Sequence, residues 1–458
     1  MMTIRSRFYP RTAIAVLALA VPAAAQPAAP EEELFDKVLP EKVLEEDAVE
    51  VVSTPLFPPT SEAQPLFPAA QQWTVGDAQQ LLAAIEAIDA EGLDPRDYRP
   101  EPLRQAIAFG PGPELDQLAG ETLAWLVEDL RDGRTPMEAR KQWFVVDPDP
   151  DLLPTGEIIA KALASHDIAG TLAALEPTHP DFAALKAELA KTPQPDVKRQ
   201  AIIRANMDRW RWLARDLGGQ YLITNVPEFQ LRLTVNDRII RTYRTIVGKP
   251  GRTATPQLAE TVEGVIFNPT WTVPQSIVRG EGLGAKVLAN PAWARAAGYK
   301  ATKGGDGSVS VVQQPGPGNS LGMMKLDMPN PHAIFLHDTP SRSLFNAENR
   351  ALSHGCIRTE RALELAMTIA ILGQGASKDE AVAISTSGQY TRVPVVKTMP
   401  VYITYFTMGR DIEGTLRTFN DIYGRDAPVL ASFSVPRVGN RARVTSEEVV
   451  EIVDDLQI

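Results

Sequence analysis

The chain contains a single cysteine, Cys356, inside the stretch SHGCIRTE that runs from Ser353 to Glu360. A lone thiol can pair with another molecule, fill a small apolar space, or act as a nucleophile. Its neighbours Gly355, Ile357 and Arg358 do not form an apolar run, which argues against the packing role. Three of the five histidines, His332, His337 and His354, lie shortly before Cys356. A thiol attacks well only when ionised, and a neighbouring imidazole can take its proton. His337 follows the apolar run AIFL and precedes Asp338-Thr339-Pro340, so it is expected at a strand end, where side chains are available for chemistry. These residue types in this order point to nucleophilic catalysis by a Cys–His pair. His166 and His179 stand apart, without cysteine or carboxylate at ligand spacing, and are expected at the surface or at helix ends. There is no HExxH motif, so neither a metal nor a cofactor is expected.

The thiol's compartment follows from the N-terminus. Arg5, Arg7 and Arg11 precede and enter an apolar stretch from Thr12 to Val21, followed by Ala23-Ala24-Ala25. This is the pattern of a cleaved secretory signal over 1–25. An apolar run of about ten residues is well short of the roughly 20 that span a bilayer. No later segment is long and apolar enough either, so no membrane span is expected and the mature chain is placed in the periplasm. One cysteine cannot staple a secreted protein through an internal disulfide, which strengthens the reactive reading. Net charge is −11 without basic blocks, which argues against nucleic acid or anionic lipid as the main partner.

The elements that must position the pair divide the chain. Residues 26–72 are rich in Pro, Glu and Ala without sustained periodicity, and are expected to be a disordered linker. From 73 to 195 apolar residues recur at helical spacing: Leu82, Ile85 and Ile88 before Gly92, then Leu115, Leu118, Leu126 and Leu130 before Gly133. Thr155 to Ala164 and Asp181 to Lys191 are two further helix candidates, and TPQPD at 192–196 reads as an exit linker. Asp196 is placed to cap a helix running to about Leu213. The period then changes. Phe229, Leu231, Leu233 and Val235 alternate with polar residues before Asn236-Asp237, a hairpin turn, and TVEGVIFN, SVSVVQQ, HAIFLHD and VYITYF are further strand candidates. The run RTERALELAMTIAILG after Cys356 reads as a helix capped by Thr359, whose N-terminal dipole would favour a thiolate. A stretch from about 276 to 303 lacks alternation and reads as an insertion, and 425–458 reads as an acidic tail.

Together, His337-DTP-x-x-x-L-F and Ser353-H-G-C-I-R resemble the active-site signature of L,D-transpeptidases, cell-wall enzymes with a YkuD-type catalytic domain. NMDRWRWL, YLITNVPEFQLRL, IVGKPGRTATP, FNPTWTVPQSI and PGPGNSLGMMKL agree with it, and GLDPRDY and LEPTHPDFAALKAEL resemble the helical scaffold of that family's large subfamily. The resemblance implies a multidomain α+β chain: a mainly-α scaffold domain, 73–195, then a mainly-β catalytic domain, 196–424, with an inserted capping subdomain. The peptidoglycan-binding module often found between the two has no counterpart here. Peptidoglycan stem peptides are implied as donor and acceptor, with other cell-wall synthesis proteins left open as partners. Cys356 is implied as the nucleophile that forms a thioester at diaminopimelate and releases D-alanine. A neighbouring diaminopimelate amine would then make a three-to-three cross-link. His337 is implied as general acid and base, oriented by a backbone carbonyl of Asp338 or Ser353. The N–H groups of Gly355 and Cys356 are oxyanion candidates, and His354 lines the cleft. Arg358 reads equally as a clamp on substrate and as an internal ion-pair partner. Trp271 is a candidate substrate contact under the cap, with core packing the plainer alternative. A hydrolytic relative and a non-catalytic wall-binding protein are the two rival functions.

Overall fold

The computed structural model describes residues 72–145, 154–280, 282–305, 307–439 and 441–449. The expected signal, the linker up to residue 71 and the end of the tail from 450 lie outside them. All described residues belong to one folded unit.

Helices form in the first part where apolar spacing requires them. In Pro113–Asp132 the proline sits in the first turn, where its missing N–H costs nothing, and Leu115, Leu126 and Leu130 are buried. Gly133 ends the helix at φ +89°, and a Cβ there would strike the Trp212 ring. Leu81, Ile85, Leu103, Leu123 and Ile159 join these residues in one apolar cluster, while Leu82 and Leu118 lie at its edge. The tail closes this cluster. Arg437, fully buried, pairs through Nε with Asp129 at 2.9 Å and through Nη2 with Glu128 at 2.7 Å. Its guanidinium lies 4.9 Å from the Trp125 ring centre.

Residues 192–196 turn between two packed helices, Pro180–Lys191 and Val197–Trp210. Asp196 caps the second, accepting from the Arg199 N–H at 3.1 Å. Phe182, Leu185, Met207 and Trp210 share one buried cluster with Tyr221, Ile223, Tyr402 and Phe406, so the apolar core runs without interruption from helices into strands.

The strands, in chain order, are β1 (Gln220–Asn225), β2 (Gln230–Val235), β3 (Arg238–Gly248), β4 (Leu258–Thr261), β5 (Gly264–Phe267), β6 (Trp271–Thr272), β7 (Tyr299–Lys303), β8 (Val309–Gln313), β9 (Met324–Asp327), β10 (Leu336–His337), β11 (Ala351–Ser353), β12 (Ile357–Thr359), β13 (Thr391–Pro394) and β14 (Pro400–Thr404), followed by a separate pair, β15 (Met408–Arg410) and β16 (Leu416–Thr418). The main sheet is ordered β13-β5-β9-β10-β12-β3-β2-β1-β14-β4, with β11 pairing β3. Asn236 and Asp237, both in the left-handed region at φ +47° and +58°, make the tight turn between β2 and β3. TVEGVIFN is not one strand. The chain breaks at Val262-Glu263, so that β4 pairs β14 at one end of the sheet and β5 pairs β13 and β9 near the other. The inserted unit is wider than 276–303. SVSVVQQ does not enter the main sheet but pairs with β7 and β6, building a separate three-stranded sheet around Val273, Val287 and Val311.

Candidate active site

Opposed residues in a ladder project to the same face, and the face alternates along each strand. His337 in β10 lies opposite Arg358 in β12 and opposite Lys325 in β9. Leu336 and Ile357, on the other face, are fully buried. The pairing continues one step past the strand, since the Ile357 N–H donates to the Phe335 carbonyl at 3.0 Å. Cys356, immediately before β12, therefore shares a face with His337, Phe335, Lys325 and Arg358. Two segments distant in sequence meet side by side because a parallel β10–β12 pair forces a long connection between them.

The face has distinct electrostatics. His337 is buried at 6% exposure, and burial drives its imidazole pKa down to about 3. The nearby charges of Arg358 and Lys325 push the same way, and the backbone at Asp338 and Leu321 pulls back. Its ring packs edge-on to Phe335, centres 5.5 Å apart, and hydrogen bonds to the backbone of Asp338 and Leu321 orient it. At neutral pH this imidazole is uncharged: one ring nitrogen keeps its N–H and the other can receive a proton. Lys325, with Nζ 4.0 Å from the Phe335 ring centre, has its pKa lowered first by burial, with attraction to Cys356 and Asp327 opposing. Cys356 is half-buried, and its Sγ approaches the Ala333 carbonyl at 3.7 Å.

The turn before β12 is cross-braced. Ser353 Oγ donates to the Cys356 carbonyl at 2.6 Å and accepts from the Gly355 N–H at 3.1 Å. Gly355 sits at φ +122°, a backbone region that disfavours any side chain. Its carbonyl accepts from Thr255 Oγ1 at 2.7 Å, and the Lys249 N–H donates to the Ser353 carbonyl at 2.9 Å. The Gly355 N–H is thus committed to Ser353, which leaves the Cys356 N–H as the oxyanion candidate of the two. Ser353 holds the loop rather than the imidazole.

Other expectations change. Thr359 does not cap a helix: it is the last residue of β12, and the helix is Ala362–Leu372, started at Arg361. Cys356 therefore precedes a strand and not the start of that helix; Arg358 and Lys325 bring positive charge to its face of the sheet instead. The Asp338 carboxylate, 2% exposed, is tied to the Met323 N–H at 2.9 Å and to Arg342 at 3.2 Å, a structural place rather than a substrate contact. Trp271 packs in the apolar core of the inserted unit. His354 is half-buried one residue before Gly355. His179 is at a helix end, as expected, and half-buried, stacked on Trp210 with ring centres 4.0 Å apart. Lys325 is the residue that sequence reasoning passes over. Its signal lies in MKLD, where buried Met324 and Leu326 alternate with it and place it on the other face.

Two protein families match the chain: an L,D-transpeptidase catalytic domain, YkuD, over residues 219–403, and a Scaffold domain over 60–189. A Haemophilus influenzae protein named "Putative L,D-transpeptidase" is 30% identical over 223 residues. That match spans 45% of this chain and 45% of the other, so the chain spans less than half the length of that relative. Among solved structures, an L,D-transpeptidase from Mycobacterium smegmatis matches 41% of this chain and 58% of its own, at 14% identity and a TM-score of 0.21. L,D-transpeptidase 1 of Mycobacterium tuberculosis matches 41% and 61%, at 12% identity and a TM-score of 0.19. Scores at that level carry no argument; the two domain matches do.

Proposed function

Because the chain carries a YkuD L,D-transpeptidase catalytic domain behind a Scaffold domain, we propose that it cross-links cell-wall peptidoglycan through a thioester on Cys356. The observation that supports this most is the shared face of β10 and β12, which sets a half-buried thiol beside a buried neutral imidazole. In the first step Cys356 Sγ attacks the carbonyl of the third stem residue, diaminopimelate, and the thiol proton passes to His337. The Cys356 N–H receives the developing oxyanion, a donor that typically supplies on the order of 3 kcal/mol. Collapse of the tetrahedral adduct breaks the amide bond, and the imidazolium gives its proton to the departing D-alanine amine. A diaminopimelate side-chain amine of a second stem then attacks the thioester, losing a proton to His337, which returns it to the leaving sulfur. Such a role fits export of the mature chain to the periplasm behind the signal at 1–25.

Incubation with isolated disaccharide-tetrapeptides and mass spectrometry tests the proposal. The expected product is a dimer lacking one D-alanine. Monomers trimmed by one D-alanine alone would make the protein a hydrolase, and unchanged substrate would leave a non-catalytic wall protein.

Lys325 gives a separate expectation. An ammonium on the nucleophile's face favours thiolate over thiol. Lys325→Met keeps the stem that covers Phe335 and removes the charge. The rise of iodoacetamide alkylation of Cys356 with pH is expected to move upward by about one unit. An unmoved profile would remove Lys325 from the chemistry.

A further inference from the structure

The segment Arg140–Val145, from the helical half of the chain, reaches the nucleophile by two independent routes. Its backbone extends the start of β4: the Gln257 N–H donates to the Gln142 carbonyl at 2.9 Å, the Phe144 N–H donates to the Gln257 carbonyl at 3.0 Å, and Trp143 bridges Gln257 in parallel. Trp143 anchors it from below, edge-on to Trp212 with centres 5.4 Å apart. From this base Phe144 lays its ring against His332, centres 4.1 Å apart. His332 is buried and adjoins Ala333, whose carbonyl faces Cys356 Sγ. Ala333 itself sits at φ +53°, held there by Asn330, which bonds to both backbone groups of Ile334 at 2.7 and 3.1 Å. The second route runs through Gln142. Its Oε1 accepts from Arg425 Nη2, a guanidinium stacked on Tyr405 and Tyr423. Arg425 also donates to the Thr255 carbonyl at 3.0 Å, and Thr255 Oγ1 donates to the Gly355 carbonyl.

We infer that Phe144 and Gln142 are positioning residues for Cys356, so that the helical half sets the geometry of the reacting thiol from both flanks. Phe144 fixes the wall on the Ala333 side, and Gln142 fixes the turn on the Gly355 side. The inference rests on Cys356 being the reacting group. Displacement of a nucleophile by about 1 Å costs on the order of 10²-fold in rate, so a partial loosening is expected to be felt in turnover before it is felt in stability.

Four variants test this: Phe144→Ala, Phe144→Tyr, Gln142→Ala and the double change Phe144→Ala with Gln142→Ala. Two quantities are read: peptide turnover, split into kcat and KM, and the rate of Cys356 alkylation by iodoacetamide in the absence of substrate. Phe144→Ala is expected to lower kcat about tenfold at unchanged KM, and to raise alkylation several-fold as the wall around Sγ loosens. Phe144→Tyr, which keeps the ring, restores both, and the double variant exceeds either single one. The inference is overturned if alkylation and kcat match the parent protein. It also falls if the loss follows the melting temperature and Phe144→Tyr fails to restore it. If the parent protein shows no turnover at all while alkylation still responds to Phe144→Ala, the proposed function fails and the positioning stands.

Discussion

Cys356→Ala is expected to abolish turnover, by a factor on the order of 10⁴ or more, while the protein stays folded. The first half follows from chemistry: without sulfur the acyl intermediate on Cys356 cannot form. The second half follows from packing. Cys356 is only half-buried, and Sγ lies at a long 3.7 Å from the Ala333 carbonyl. Truncation removes one atom from a partly open site, and a change in stability below about 1 kcal/mol is expected. Cys356→Ser should also be nearly inactive, since a hydroxyl is much harder for His337 to deprotonate. Serine can still donate to Ala333, so this variant controls for shape. Turnover on tetrapeptide substrate together with a thermal melt decides the matter, and retained activity in Cys356→Ala would remove the nucleophile assignment.

His337→Ala is expected to slow thioester formation by a factor on the order of 10² or more, with a pH dependence that separates it from His354→Ala. Burial, then the charges of Arg358 and Lys325, hold the His337 pKa down to about 3. The sign is simple. Above about pH 4 the imidazole is neutral and ready to accept a proton, so the acid limb of the parent rate should not show the fall near pH 6.5 of an ordinary histidine. Removing His337 leaves solvent as the only acceptor, so the loss is greatest near neutrality and part of the rate returns at high pH. His354→Ala should weaken substrate use and leave the limb in place. Acylation rate against pH, followed by stopped flow or by adduct mass with a carbapenem, gives both profiles. If His354→Ala instead gained the steep rise with pH while His337→Ala kept the parent's profile, the base would be His354.

The pair itself was legible from residue type and order: one thiol, few histidines, and a strand-like AIFL leading into His337. Most helices and the β2–β3 turn were legible too, because their apolar spacing and turn residues act locally. What failed depended on distant partners. Thr359 has the residue type of a helix cap, yet β12 continues through it because its ladder with β3, Thr359 opposite Thr245, holds the chain extended. TVEGVIFN looks like one strand, and only the separate demands of β14 and β9 break it. Asp338 beside the base reads as a substrate contact until the Met323 N–H is seen to occupy it. Lys325 was hidden for the same reason: its meaning lies in the residue opposite, which a linear pattern does not show.

The buried pairing of Arg437 with Glu128 and Asp129 also bears on the order in which the chain can mature. The helical half is made first, but two carboxylates in its interior find their cation 308 and 309 positions later, once Arg437 has emerged. An ion left unpaired in such a place costs about 3–5 kcal/mol, so the early half is expected to remain incomplete, and open to proteases, until Arg437 has been made. A chain stopped after Ser434 should show this directly as a lower denaturant midpoint for the helices, and an unchanged midpoint would show that they mature alone. Segments some three hundred residues apart then survive together, and a product cut short before Arg437 is marked for removal by its own first-made part.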